Sequence, residues 1–418
     1  MAGPRRARRL WRYLRAERRT LTQGFVALFI SSGGDLLAGT ALAFMDGDIR
    51  RLPGLLILIP AAIGMRGNIF GSLGSRLGTG INAGTFEPSL RHGSFLRRNA
   101  TGSWYLTLAT CLYLGPAAHF VALAIKDPQV PNRDVISIGA FVTISIVGGV
   151  LGSMVVGGAA VGISILSHRH RWDLDSVSAP LVTAIGDIAT LPALWLASIF
   201  VSHAPAAVPY VAAASAAFCA VETVRGLRVR DPMVKRIVRE SMVVLLIAGT
   251  IDLMAGSILE LKVDSLLAVE SLIILVPPFL EDTNALAGIL SSRIASKLHL
   301  GLIEPTPWPQ ALAWADIAIN VLFAISVFFM VGFSANLVAV ILGKTTPGFV
   351  TMIEVSLLAG FFATIASCAV AYYSAIATFR FGWDPDNHSI PISSAVMDLV
   401  GTLCLVLVIL LLGVNAHG

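Results

Sequence analysis

Eleven apolar blocks, each near or above the roughly 20 residues needed to cross a bilayer, dominate this chain and leave it few ways to fold. They fall at about 21–44, 54–80, 101–125, 135–166, 179–202, 205–223, 240–260, 266–297, 311–343, 349–380 and 390–414. Between them there is too little polar surface for a water-soluble protein. Only 13% of the 418 residues are charged, about half the usual share. The expected fold is an all-α polytopic transmembrane helical bundle. The first block follows an arginine-rich start, as a leader's would, but it is long and lacks a small-residue cleavage site, so it reads as the first span. Cys111, Cys219, Cys368 and Cys404 lie inside apolar blocks without C-x-x-C spacing, so neither a disulfide framework nor a thiolate metal site is implied.

Charge orients the bundle. Twenty-one Lys and Arg lie at the N-terminus and on the even connections, against six on the odd ones (Arg50, Arg51, Lys126, Arg133, Lys262, Lys344). Positive residues stay on the cytoplasmic side, which predicts a cell-membrane protein with a cytoplasmic N-terminus and, after eleven spans, an external C-terminus. The net charge of +5 is then topogenic, with the lipid bilayer as its partner and no nucleic acid required. No connection is long enough for a soluble domain.

The polar residues repeat in register. A shift of 217 lays Asp35-Leu36-x-Ala38-Gly39 on Asp252-Leu253-x-Ala255-Gly256, Pro60 on Pro277, Ser75-Arg76 on Ser292-Arg293, and Gly84-x-x-Glu87-Pro88 on Gly301-x-x-Glu304-Pro305. A shift of 211 lays Trp172-Asp173-x-Asp175 on Trp383-Asp384-x-Asp386, Pro180 on Pro391, and Asp187 on Asp398. The implied organisation is a basic segment (1–20), a first five-helix repeat (21–203), a linking helix with a basic loop (204–239), and a second five-helix repeat (240–418). A sixth crossing at 205–223 restores parallel orientation. The repeats should then share a pseudo-two-fold axis along the membrane normal with a site beside it, and such a chain can work as a monomer.

Asp187 and Asp398 carry the sharpest functional signal. Each lies seven residues after a proline expected to start the last helix of its repeat, about 10 Å deep at 1.5 Å per residue. Ionisable groups at such depth mark ion paths. Asp35 and Asp252, on the first helices, are also buried and duplicated, with Ser31, Ser32 and Thr250 placed to satisfy them structurally. The second helices carry Pro60 and Pro277-Pro278, followed by Arg66-Gly67-Asn68 and by Glu281-Asp282-Thr283-Asn284. A break there would bare carbonyls beside Asn68, Asp282 and Asn284, hard oxygen ligands suited to Mg²⁺ or Ca²⁺. Arg76 and Arg293 read as cytoplasmic anchors that snorkel or fix a loop carbonyl. The glycine pairs Gly148/Gly152 and Gly158/Gly162 read as close helix packing. His168 and His170 are not spaced for zinc.

These motifs resemble a known family. Pro60-Ala-Ala-Ile-Gly-Met-Arg-Gly-Asn68 with Ser75-Arg76-Leu77-Gly78-Thr79, and Asp384-Pro385-Asp386-Asn387…Pro391…Asp398, are similar to segments of solute carrier family 41, the two-repeat relatives of the bacterial MgtE magnesium channel. The resemblance implies a divalent cation substrate, Mg²⁺ first, held in a pore by the last-helix aspartates Asp187 and Asp398. Two departures make the repeats unequal: Asp282-Thr283-Asn284 replaces G-G-N, and Ala43 stands opposite Glu260. Alternatives from the residues themselves are a proton- or sodium-coupled carrier or exporter of another divalent ion or solute, and an intramembrane aspartyl protease, whose G-x-G-D motif is missing. Channel or exchanger, direction of flux and ion identity stay open at this level.

Overall fold

The computed structural model describes residues 18–126, 134–170, 174–382 and 390–414. Their regular structure is helical throughout. In chain order the helices are α1 (Arg18–Phe44), α2 (Asp46–Arg51), α3 (Leu55–Asn82), α4 (Phe95–Ile125), α5 (138–170), α6 (Leu174–His203), α7 (Val208–Leu227), α8 (Pro232–Leu261), α9 (Val263–Ala268), α10 (Glu270–His299), α11 (Ala311–Ile341), α12 (Phe349–Phe381) and α13 (Ile390–Leu411). Helix α5 contains a π-helical turn at Ile144–Gly148. Nine helices among the described residues are long and apolar enough to cross a membrane. Each of the eleven expected blocks is helical, but the apolar part of α1 is short (Leu28–Phe44) and α7 is not among the nine. The linking crossing therefore remains an expectation.

Several local expectations change. Helix α7 continues to Leu227 and α8 begins at Pro232, so the basic loop of 224–239 shrinks to residues 228–231. The reason is a strong cap: Asp231 accepts hydrogen bonds from the backbone N–H groups of Met233 (3.0 Å) and Val234 (3.3 Å), with proline at the first helical position, where no N–H is needed. Asp231 also pairs with Arg98 at 2.8 Å. Pro180 does not start its helix, because α6 begins at Leu174; Pro391 does lie at the start of α13. The Trp-Asp-x-Asp motifs fall on residues 171–173 and 383–389 and on the side chain of Asp175, outside the described residues.

Positions 217 apart make matching contacts. Ala83–Phe86 and Leu300–Ile303 form the same turn: Gly84 and Gly301 sit at φ +71° and +68°, a region open to glycine. The N–H groups of Thr85 and Leu302 each donate over 2.9 Å to Gly80 and Lys297 carbonyls. In the bundle, α1 packs on α10, α6 and α11, while α8 packs on α3, α13 and α4. Each first helix thus inserts into the other half. Glycine makes the approach close. A Cβ on Gly39 would lie 2.2 Å from the Ile274 carbonyl oxygen, and one on Gly256 2.3 Å from that of Ile57. Asp35 and Asp252 lie four residues before these glycines, one turn away on the same face, so the crossings bring both carboxylates to the middle of the bundle.

Candidate ion site

Burial stripes aim the acids inward. Leu28, Ser32, Asp35 and Leu42 line one face of α1, and Asp187, Leu191, Leu194 and Ser198 line one face of α6. The matching stripes are Leu245, Ala248, Asp252 and Leu259 on α8, and Ala395, Asp398, Thr402 and Leu405 on α13. All four aspartates are at most 4% exposed. They meet as two pairs. The Asp35 and Asp187 carboxyls lie within hydrogen-bonding reach of each other, as do those of Asp252 and Asp398. A close approach at Gly34, whose Cβ would lie 2.9 Å from Ala184 Cβ, brings α1 against α6 beside the first pair. Asp252 also crosses to the first half: a Cβ on Gly64 would lie 2.9 Å from its Oδ2 and 3.4 Å from Asp398 Oδ2.

The surrounding polar groups come from α10 and α1. Asn284 Nδ2 donates to Asp398 Oδ1 over 2.8 Å, and Ser32 Oγ donates to Asp282 Oδ1 over 2.7 Å. Of the hydroxyls expected to satisfy Asp35 and Asp252, Ser32 and Thr250 are directed elsewhere, Thr250 donating to the Leu246 carbonyl over 2.7 Å, while Ser31 lies within reach of the Asp35 carboxyl. Both oxygens of Asp35, both of Asp252, and Oδ2 of Asp187 and of Asp282 meet no hydrogen-bond donor, and neither does Asn284 Oδ1. Two facing carboxylates in a low dielectric repel strongly unless a positive charge lies between them. Unmet oxygens on a repelling set are what a transient cation would satisfy.

Glu281 joins the site although the repeat pattern does not single it out. Its charge reaches Asp35, Asp187, Asp252 and Asp398. Its one signal in the sequence is adjacency to Asp282, and only the register of α10 shows which of the two faces the aspartates. The helix break expected around Arg66 does not form. Instead α3 and α10 run unbroken past their prolines, so no unwound backbone is offered as a ligand. Arg66 is 4% exposed, and its charge reaches Asp187.

Other candidates lie apart. Asn68 is one turn beyond Gly64 on α3, with its Nδ2 buried and unpartnered. It lines a small cavity with Ser72, Arg76, Ser241 and Pro391, a lining that includes none of the aspartates. Arg76 and Arg293 hold neighbouring helices rather than loop carbonyls: Arg76 donates to Asn99 Oδ1 (3.0 Å) and Arg293 to Asp316 Oδ1 (2.8 Å). Glu260 is structural, accepting from the Gly54 N–H at 2.9 Å. Gly148 and Gly152 do contact α6, but a Cβ added to Gly158 or Gly162 would meet nothing within 4 Å. No group of three or more His, Cys, Asp or Glu among the described residues is arranged to chelate a bare ion.

A profile of the family MgtE, described as divalent cation transporter, matches residues 59–197 and 276–408. Solute carrier family 41 member 3 of Rattus norvegicus is 24% identical over 416 residues, spanning 94% of this chain and 87% of its own length. Member 3 of Mus musculus is 24% identical over 379 residues (84% and 74%). Member 2 of Homo sapiens is 22% identical over 407 residues (92% and 69%). No solved structure matches the chain.

Proposed function

This chain belongs to the MgtE family of divalent cation transporters, and from that premise we propose that it moves Mg²⁺ across the cell membrane through the aspartate cluster. The protease alternative falls with the family. The observation that carries the proposal is the convergence of Asp35, Asp187, Asp252 and Asp398 from four helices, with oxygens of the first three that no protein donor meets. In this reading Asp187 and Asp398, one from each half, supply two negative charges for one dication, with Asp35 and Asp252 behind them. Asn284, Asp282 and Glu281 bind its waters from α10, and Asn68 lines the route beyond. The ion keeps its inner water shell, since stripping Mg²⁺ is unfavourable.

The two-repeat plan supports a shared site. The two segments matched by the family profile begin 217 residues apart, the same shift that relates Asp35 to Asp252 and the contacts of Gly39 to those of Gly256. We take the halves as parallel repeats about an axis along the membrane normal, joined by α7, with a cytoplasmic N-terminus and a monomer as the working unit.

The test is flux into proteoliposomes holding the full chain, with Mg²⁺ against Mn²⁺, Co²⁺ and Ca²⁺, and with Na⁺ or proton gradients imposed or collapsed. Mg²⁺ uptake that needs no second gradient identifies a channel-like path. Uptake that stops when one gradient collapses identifies coupling to that ion. No divalent flux in any arm overturns the proposal.

A further inference from the structure

Arg66 is an unusual charge to bury. Arginine stays protonated in proteins, and a charge inside the hydrocarbon normally has a partner. Among the described residues no carboxylate lies within ion-pairing distance of Arg66. Its guanidinium is held by backbone instead: Nη1 donates to the Ala62 carbonyl (2.5 Å) and Nη2 to the Gly148 carbonyl (3.4 Å), where the π-helical turn of α5 ends. Nε meets no acceptor. The group lies in a slot that glycine leaves open: a Cβ on Gly152 would sit 2.9 Å from Nε, and one on Gly149 3.5 Å from Nη2. Thr107, Thr110, Ser145 and Ser153 complete a small pocket around it. The charge is therefore fixed in place against α6 about one turn from Asp187: the same Cβ on Gly152 would also lie 3.5 Å from Thr190 Cα, three residues past Asp187.

The second half has no such charge. Thr283 stands at the matching position and donates to the Phe279 carbonyl over 2.7 Å. Glu281 and Asp282 stand where the first half has Gly64 and Met65. Six acids on one path would make a deep well for a dication, and conduction requires a site weak enough to leave. Resting on the transport reading above, we propose that Arg66 is the fixed positive charge that lowers the affinity of the aspartate cluster for divalent cations enough for the bound ion to be released.

The field of a fixed charge scales with the valence of the ion it acts on, which gives the idea a distinctive test. Binding of Mn²⁺ to the full chain in detergent, read by the loss of the free-ion electron paramagnetic resonance signal, is compared for wild type, Arg66→Met, Arg66→Gln and Arg66→Lys, alongside Mg²⁺ flux. Both neutral variants should bind Mn²⁺ on the order of tenfold or more tighter, with lower half-saturation and lower maximal flux. Competition by Na⁺ should strengthen by only about the square root of that factor. Arg66→Lys, which keeps the charge, should stay near wild type. Folded neutral variants with unchanged or weaker Mn²⁺ binding overturn the proposal. So does misfolding of both neutral variants while Arg66→Lys folds, which assigns Arg66 a structural role. Wild type that shows no Mg²⁺ flux overturns the transport reading itself and is told apart by that control.

Discussion

Each aspartate of the cluster can be separated into what it does for folding and what it does for the ion. Asp35 and Asp252 have no well-formed hydrogen bond, only Ser31 and Asp187 within reach of the first and Asp398 within reach of the second, so they cost desolvation and return little to the ion-free protein. Asp35→Asn and Asp252→Asn should therefore leave thermal stability equal or higher while cutting flux. A fall in stability that accounts for the lost flux would show that they hold the fold instead. Asp187→Asn and Asp398→Asn should each reduce Mg²⁺ flux by at least tenfold, and the double variant should be little worse than either single. Groups that act on one ion are not additive. Asp398 also accepts from Asn284, so its variant should be the less stable of the two by about 1 kcal/mol, read by thermal unfolding. These four acids were legible in the sequence because a carboxylate in an apolar block is conspicuous and each recurred at the repeat shift. Asp282 was also picked out, as a polar residue after Pro277-Pro278, although Met65 stands opposite it. Glu281 and Arg66 lay in the same polar runs, but a run by itself does not show which of its residues faces the aspartates; that depends on the register of α10 and α3 in the bundle.

At the scale of helices, the bundle relies on two crossings where backbones nearly touch. Gly39→Val and Gly256→Val would each drive a side chain into a carbonyl oxygen of the opposing helix, which cannot move without shifting the whole helix. Both should abolish recovery of folded protein, whereas Gly71→Ala, with nothing within 4 Å, should be recovered at wild-type yield. The sequence displayed these glycines in register but not what they faced, since that depends on first helices exchanging places between halves. A second device fixes α10 to α11. Asp316 is fully buried, and Arg293 and Lys297 both pair with it. Asp316→Ala leaves two cations uncompensated and should cost about 3–5 kcal/mol, seen as lost stability at unchanged divalent selectivity. The matching contact in the first half, Arg76 with Asn99, carries one cation and a neutral amide. Asn99→Ala should therefore be milder, and the pair of variants tests whether the second half is the more rigidly anchored.

The whole molecule is a scaffold of apolar helices closed around a patch of acidic groups, and if the proposed site is right its stability should depend on the ion it carries. The large core formed by residues such as Leu42, Met45, Ile57, Phe279 and Phe328 pulls the helices together. Ionised together, Asp35, Asp187, Asp252, Asp398, Glu281 and Asp282 would repel and push the same helices apart, with the single charge of Arg66 reaching Asp187 as partial relief. A dication in the cluster would remove that repulsion only while α1, α6, α8, α10 and α13 are assembled, so it would bind the folded state alone. Such a ligand stabilises by mass action, about 2.7 kcal/mol at a hundredfold excess over its dissociation constant. Thermal unfolding of the full chain in detergent should thus shift upward by several degrees in Mg²⁺ compared with K⁺ at matched ionic strength. The shift should vanish in the Asp187→Asn/Asp398→Asn double variant, which should itself unfold no lower than wild type measured without Mg²⁺, because the amides no longer repel. Equal protection by Mg²⁺ and K⁺ would mean ordinary screening of surface charge and would remove the cluster as the place where the ion binds. Protection that persists in the double variant would keep a specific site for the dication but put it elsewhere in the bundle.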